Sequence, residues 1–284
     1  MWYRARKGPK TLNEILSFIT IMFFIMHLNY NLTKNILAWY DNNKRSLPWR
    51  VSKNSPNKLY YRLLSEFMLQ QTQVKTVIPY FKNFTSKFPS LQSLSKCSEK
   101  EILKLWEGLG YYRRARNFLV SAKTLVKEHN SKLPKEINEI KRLPGVGDYT
   151  ANALLAFIHD KPTIAIDGNV RRVFSRIMNR NENKIDFNKL IETNKKSLFK
   201  IKRHSDLVEA LMEFGALICK PKKPECFKCN LKNTCGYFKT DKKYTQTKRI
   251  QLKEKTYNIF CYINKKKNKI ALTKKHNSGF LNNF

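Results

Sequence analysis

Acidic side chains are scarce in this chain: 21 Asp and Glu stand against 56 Lys and Arg, a formal net charge of +35. Such an imbalance excludes a neutral surface and favours a polyanionic partner, DNA or RNA, held with strong salt dependence. Lys, Asn and Ile recur everywhere, apparent loops included, as in the product of an A+T-rich genome, so part of the lysine excess is solvated surface. The arginines are more informative, because they cluster at Arg113, Arg114, Arg116, Arg171 and Arg172. A long hydrophobic run is also missing. Residues 15–28 are apolar and follow Arg4, Arg6, Lys7 and Lys10, but they are short for a membrane span and no small-residue cleavage site follows. They read as an upstream extension of a core that starts near Met26, with an interfacial anchor as the alternative, and no membrane partner is expected. Nor are the cysteines spread as in a secreted disulfide framework. Four of the six crowd into 219–235, which points to a reducing compartment and a metal site, while Cys97 and Cys261 stand alone as plain thiols.

Sustained two-residue alternation is absent from 31–240, so this part is expected to be all-α. Apolar residues recur instead at three- and four-residue spacing in 32–40, 59–69, 102–106, 118–126, 151–158, 170–177 and 207–218. Stretches containing Pro, Asn, Ser or Lys separate them. Residues 239–255 are rich in Lys and Thr and read as a linker. Residues 257–263 and 269–273 then read as two strands around an Asn-Lys-Lys-Lys-Asn turn. Two strands are too few for a stable domain, so the chain is expected to stop inside a β-containing unit.

Several constellations carry chemistry. In Leu143-Pro-Gly-Val-Gly-Asp-Tyr-Thr-Ala151, Gly145 and Gly147 make a tight hairpin opening a helix, and a backbone without Cβ can approach a partner closely. The amides of the following helix start offer a seat for phosphate; an ordinary helix–turn–helix connection is the plainer alternative. Cys219-x6-Cys226-x2-Cys229-x5-Cys235 gathers four soft ligands suited to one tetrahedral zinc or one iron–sulfur cluster. Glu66 is a lone acid in an apolar helical run, and burial would raise its pKa as a general acid requires. Gln70, Gln71, Thr72 and Gln73 close that helix, either as solvated caps or as contacts to base edges. Asp167, in Ala-Ile-Asp-Gly-Asn, is placed either as an N-cap or as part of a site shared with the hairpin, with Asn169 beside it. Trp49-Arg50 and Tyr111-Tyr112 pair aromatics with cations, suited to stacking on bases or to core packing.

These stretches occur together and in this order in the helix-hairpin-helix DNA glycosylases. Glu66 within SEFMLQQTQV, GLGYYRRARN from Gly108, LPGVGDYTA, AIDGN and the cysteine spacing resemble most the A/G-mismatch adenine DNA glycosylase branch (MutY), over roughly residues 30–238. The resemblance implies a two-lobed helical fold with double-stranded DNA across the cleft, acting as a monomer in the bacterial cytoplasm. The six-helix lobe with the hairpin would span 55–160. Residues 29–54 and 161–238 would form the second lobe, with a 4Fe–4S cluster on Cys219, Cys226, Cys229 and Cys235. Residues 1–28 would lie outside both, and 256–284 would begin a Nudix-like domain. The substrate implied is adenine opposite guanine or 8-oxoguanine; because only the start of the Nudix-like part resembles the family, weaker preference for the oxidised base is expected. Glu66 and Asp167 would be catalytic, with Tyr149 and Asn169 holding the constellation. Glu209 and Arg50 would read the adenine edge and Trp49 would line the pocket, while Leu69, Gln71, Tyr111, Gly145 and Gly147 would contact DNA. In the related endonuclease III the position after the hairpin carries a catalytic lysine. Tyr149 stands there, so strand cleavage by a Schiff base is not expected. The alternatives are a bifunctional pyrimidine-lesion lyase and a non-catalytic, zinc-containing DNA-binding protein.

Overall fold

A computed structural model describes residues 31–240, together with the backbone at 262–264 and 269–271. The expectations for residues 1–28, for Cys261, for most of the 239–255 linker and for the last residues of the chain lie outside the described residues. From 31 to 240 every regular element is a helix. The long helices are α1 (31–43), α2 (Lys58–Leu69), α3 (Val74–Lys87), α6 (Arg113–Glu128), α8 (Asp148–His159), α9 (Gly168–Ile177) and α12 (His204–Leu217). Shorter turns fill the gaps: α4 (Leu91–Ser95), α5 (Glu99–Leu105), α7 (Ile137–Ile140), α10 (Phe187–Thr193), α11 (Lys195–Leu198) and α13 (Gly236–Lys239).

Two apolar cores organise these helices. The first gathers Phe67, Met68, Phe81, Phe84, Trp106 and Phe118 from α2, α3, α5 and α6, and α8 adds Ala151, Leu154 and Leu155. The second joins α1 to α9 and α12 through Ile36, Leu37, Val173, Leu211 and Phe214. Between them α8 and α12 meet at a junction of small residues, where Ala153, Ala156 and Ala165 pack with Phe157 and Val208. Small side chains let the two helices approach closely, so α8 serves both halves of the fold. Residues 29–54 were expected to group with 161–238, but Leu47 and Trp49 pack in the first core, with the Trp49 ring edge-on to Phe81 at 5.4 Å. Once α1 ends, the chain crosses to the first half, and these large apolar side chains bury where the helices are already assembled.

One helix lay hidden in the sequence. α3 carries Val77, Phe81 and Phe84 inward at helical spacing, but Pro79 interrupts the reading. Pro79 faces solvent, where the carbonyl it leaves without an intrahelical partner meets water. The α5 start is fixed by a capping box in which Ser98 and Glu101 satisfy each other's backbone N–H.

The arginine clusters also divide. Arg113 and Arg171 are exposed, whereas Arg114, Arg172 and Arg176 turn inward and are buried. The cluster at the sequence level is therefore only partly a basic surface. No helix among the described residues is long and apolar enough to cross a membrane. Residues 247–284 form a separate unit. Its described part is an antiparallel pair, β1 (Tyr262–Asn264) and β2 (Lys269–Ala271), with Ile263 opposite Ile270.

Candidate active site

Glu66 sits in the last turns of α2 and is 6% exposed. The helix buries this face because Leu63, Leu64, Phe67 and Met68 surround it. Burial pushes the Glu66 carboxyl up to about 7, against the opposing pull of Arg62 and of a hydrogen bond donated by Tyr149. Asp167 and Glu209 reinforce the rise through their negative charge. The Tyr149 hydroxyl, on the first turn of α8, is itself made a much weaker acid, first by burial and then by Glu66 and Asp167. It lies 4.0 Å from the sulfur of Met212.

Asp167 caps α9. Its Oδ1 accepts from the Val170 N–H at 2.7 Å and its Oδ2 accepts from the Asn169 Nδ2 at 2.8 Å. Asn169 is oriented in turn by Arg172, whose Nη2 donates to the Asn169 Oδ1 at 2.7 Å. The same guanidinium donates to the carbonyls of Gly215 and Cys219, at 2.8 and 2.7 Å. Gly215 is required here, since a Cβ would lie 2.5 Å from the Cβ of Asn169. α9, α12 and the start of the cysteine loop thus converge on the Asp167 carboxylate.

Glu66, Tyr149, Asp167 and Asn169 all face one cavity of about 920 Å³, which Trp49, Arg50, Leu69, Gln71 and Glu209 also line. Tyr111, Gly145 and Gly147 are outside its lining. Glu209 and Glu213 have the spacing of a solvated helix face, but both are buried, at 5% and 2%. Glu209 Oε1 pairs with Arg62, and its Oε2 forms an ion pair with Arg50, 2.6 Å from Nε, and accepts from the Tyr40 hydroxyl at 2.5 Å. Glu213 holds Arg45 and Arg50 at 2.6 and 3.0 Å. This network ties α1, α2 and α12 together at one wall of the cavity. Of its cations, Arg50 was singled out in the sequence, whereas Arg45 and Arg62 were not. The available signal was Arg62, one turn before Glu66 on the same helix.

The hairpin divides the roles of its glycines. Leu143 and Val146 plug into the first core, and the Ser121 hydroxyl donates to the Pro144 carbonyl at 3.0 Å. Gly145 has a φ of +80°, and a Cβ there would lie 2.8 Å from Phe67 and from Asn117. Gly147 needs no such relief: nothing lies within 4 Å of where its Cβ would be. α8 starts without a side-chain cap, so its first amides point outward unsatisfied by one. Asp148 stands beside them and pairs with Lys141 at 2.5 Å.

Cys219, Cys226, Cys229 and Cys235 are half-buried and near enough to feel one another's charge. Arg176 Nη1 donates to the Cys219 sulfur at 3.4 Å, and the Cys235 thiol donates to the Arg176 carbonyl at 3.4 Å. Among the described residues no three ligating side chains are already drawn into metal-binding geometry. Four convergent thiols beside a buried guanidinium fit an anionic thiolate-bound centre in their donor chemistry.

With this geometry in view, the comparisons with known proteins are specific. Residues 64–197 match the family described as HhH-GPD superfamily base excision DNA repair protein. The chain is 39% identical over 262 residues to an adenine DNA glycosylase of Buchnera aphidicola from Baizongia pistaciae, covering 87% of this chain and 70% of that one. It is 36% identical to the enzyme of the same name from the Schizaphis graminum strain, covering 81% of it, and 36% identical to the human one, covering 38%. Among solved structures, a thermostable thymine-DNA glycosylase superposes with a TM-score of 0.64 at 27% identity, covering 73% of this chain and 94% of that one. A trapped endonuclease III–DNA covalent intermediate superposes with a TM-score of 0.58 at 24% identity, a likeness of fold.

Proposed function

Since the chain belongs to the adenine DNA glycosylases of the HhH-GPD superfamily, we propose that it removes adenine mispaired with guanine or 8-oxoguanine in duplex DNA, without cutting the strand. The observation that carries the chemistry is the pairing of two carboxyls in one cavity: Glu66, buried and raised to about 7, and Asp167, held by two N–H donors. Two acids in different environments suit two roles.

The target adenine leaves the stack and enters the cavity, since its glycosidic bond is out of reach inside a duplex. Adenine is a poor anionic leaving group. Glu66 therefore gives its proton to N7 as the C1′–N9 bond breaks and the bonding electrons pass to the base. Positive charge develops on the sugar, and the Asp167 carboxylate stabilises it. Water then adds to C1′, and its proton restores the Glu66 acid. Tyr149 and Asn169 hold Glu66 and Asp167 respectively. Arg50 and the remaining lone pairs of Glu209 face the adenine edge, beside Trp49. Leu69, Gln71 and Tyr111 enter the duplex, while Gly145, Gly147 and the α8 amides hold a phosphate. Cys219, Cys226, Cys229 and Cys235 would hold a 4Fe–4S cluster, which when bound braces the loop that begins at Cys219. The protein acts as a monomer.

Glu66→Gln and Asp167→Asn test the assignment. Each is expected to slow single-turnover adenine release by about 10²–10⁴-fold while duplex binding persists. Wild-type release by either variant would remove that residue from the mechanism.

A further inference from the structure

Two non-glycine residues, one of them on the cavity wall, share an unusual backbone. Gln71 has a φ of +57° and Tyr111 a φ of +48°, left-handed conformations that L-residues adopt at a cost. Both side chains are exposed, Tyr111 by 63%. Gln71 follows the end of α2, and Tyr111 precedes α6, 40 residues later in sequence. Something must hold two strained, solvent-facing residues in place.

Arg114 does this in both loops at once. It lies in the first turn of α6, is 7% exposed, and folds back over the residues that precede its own helix. Its Nη1 donates to the carbonyls of Phe67 and Met68, at 3.2 and 2.8 Å, and to that of Gln70. Its Nη2 donates to the carbonyls of Leu109 and Gly110, at 3.3 and 3.2 Å. The guanidinium also stacks over Trp106 at 5.5 Å and over Tyr111 at 5.3 Å. No carboxylate contributes to its electrostatic surroundings. A buried cation without an acidic partner is costly unless hydrogen bonds satisfy it. Here its hydrogen bonds all go to backbone carbonyls, those immediately before Gln71 on one side and immediately before Tyr111 on the other. Three of them are at the α2 end, where the helix dipole places negative charge.

We propose that Arg114 is a positioning residue that locks Gln71 and Tyr111 together as one rigid wedge for the duplex, so that base flipping depends on a side chain that itself never meets DNA. The planar fork of arginine is essential to this, because it sends parallel donors from two nitrogens into two separate loops; a lysine ammonium has the charge but not the fork. The inference rests on the proposed entry of Gln71 and Tyr111 into DNA.

A double-mutant cycle on the full-length, cluster-loaded protein tests it. Arg114→Lys and Arg114→Met are each compared with Gln71→Ala/Tyr111→Ala, and with the combined variants, by single-turnover adenine release and by fluorescence of a 2-aminopurine placed next to the target adenine. Both Arg114 variants are expected to lose flipping signal and to release adenine on the order of 100-fold more slowly, the cost of a misplaced contact. Melting of Arg114→Lys should stay near wild type. On the Gln71→Ala/Tyr111→Ala background, the Arg114 substitutions should add little further loss. If Arg114→Lys flips and releases adenine normally while the Gln71/Tyr111 variant does not, or if the two losses simply multiply, the positioning role is overturned alone. If Gln71→Ala/Tyr111→Ala itself behaves as wild type, the wedge reading fails and takes the role of Arg114 with it.

Discussion

Glu66 concentrates the chemistry into one proton. Its carboxyl is raised to about 7 chiefly by burial, so it is largely protonated at mildly acidic pH and loses its proton as pH rises through neutrality. Adenine release should therefore fall on the alkaline side of about 7, following the free acid. The same shift has a consequence for folding. A carboxyl whose folded pKa lies above its unfolded value contributes stability below the unfolded pKa of 4.5, and that contribution is lost as pH rises through about 7. The amount at stake is about 3 kcal/mol. Glu66→Gln carries no such dependence, so melting temperatures taken between about pH 5 and 8 should decline less in Glu66→Gln than in wild type. Equal slopes would show that Glu66 is ionised throughout and unfit as the acid. Glu66 was legible in the sequence as a lone acid in an apolar run. Arg62, one turn away, was not read as its neighbour, because an arginine in a helix is usually solvated and only packing shows it turned inward.

At the scale of helices, the apolar spacing located α2, α8, α9 and α12, and these four carry the acid, the tyrosine, the capping aspartate and the buried glutamates. α3 was hidden by Pro79, and the contribution of 47–49 to the first core could not be read from local pattern, since nothing in a short irregular segment says which of two cores it will fill. The glutamates of α12 illustrate the limit. Their spacing is that of a solvated face, yet the helix is buried there because arginines from α2 and from the loop between α1 and α2 meet it. Removing one acid leaves those charges stranded. Glu209→Ala is expected to cost about 3–5 kcal/mol, read by denaturant unfolding, because Arg50 and Arg62 lose their shared partner. A loss below about 1 kcal/mol would mean that the arginines relax to solvent and that the network is not structural.

For the whole molecule, the charge of +35 and the division into two cores flanking one cavity set how a duplex is engaged. Composition announced the polyanionic partner, but it overstated the arginines, four of which, Arg62, Arg114, Arg172 and Arg176, are buried inside the fold. Duplex affinity should still fall steeply with salt, by about 10³-fold between about 50 and 200 mM. A nearly flat salt dependence would argue that the basic surface does not meet phosphates. The hairpin glycines, read in the sequence as a pair, differ in the fold: Gly145 is dictated by packing and a positive φ, and Gly147 has nothing within 4 Å of where a Cβ would be. The most direct test of the whole account is a single-turnover assay on a duplex carrying adenine opposite 8-oxoguanine, resolved with and without alkali. The account predicts released adenine and an intact strand that breaks only after alkali. Strand cleavage without alkali, accompanied by a borohydride-trapped covalent adduct, would contradict it, as would a failure to release adenine at all.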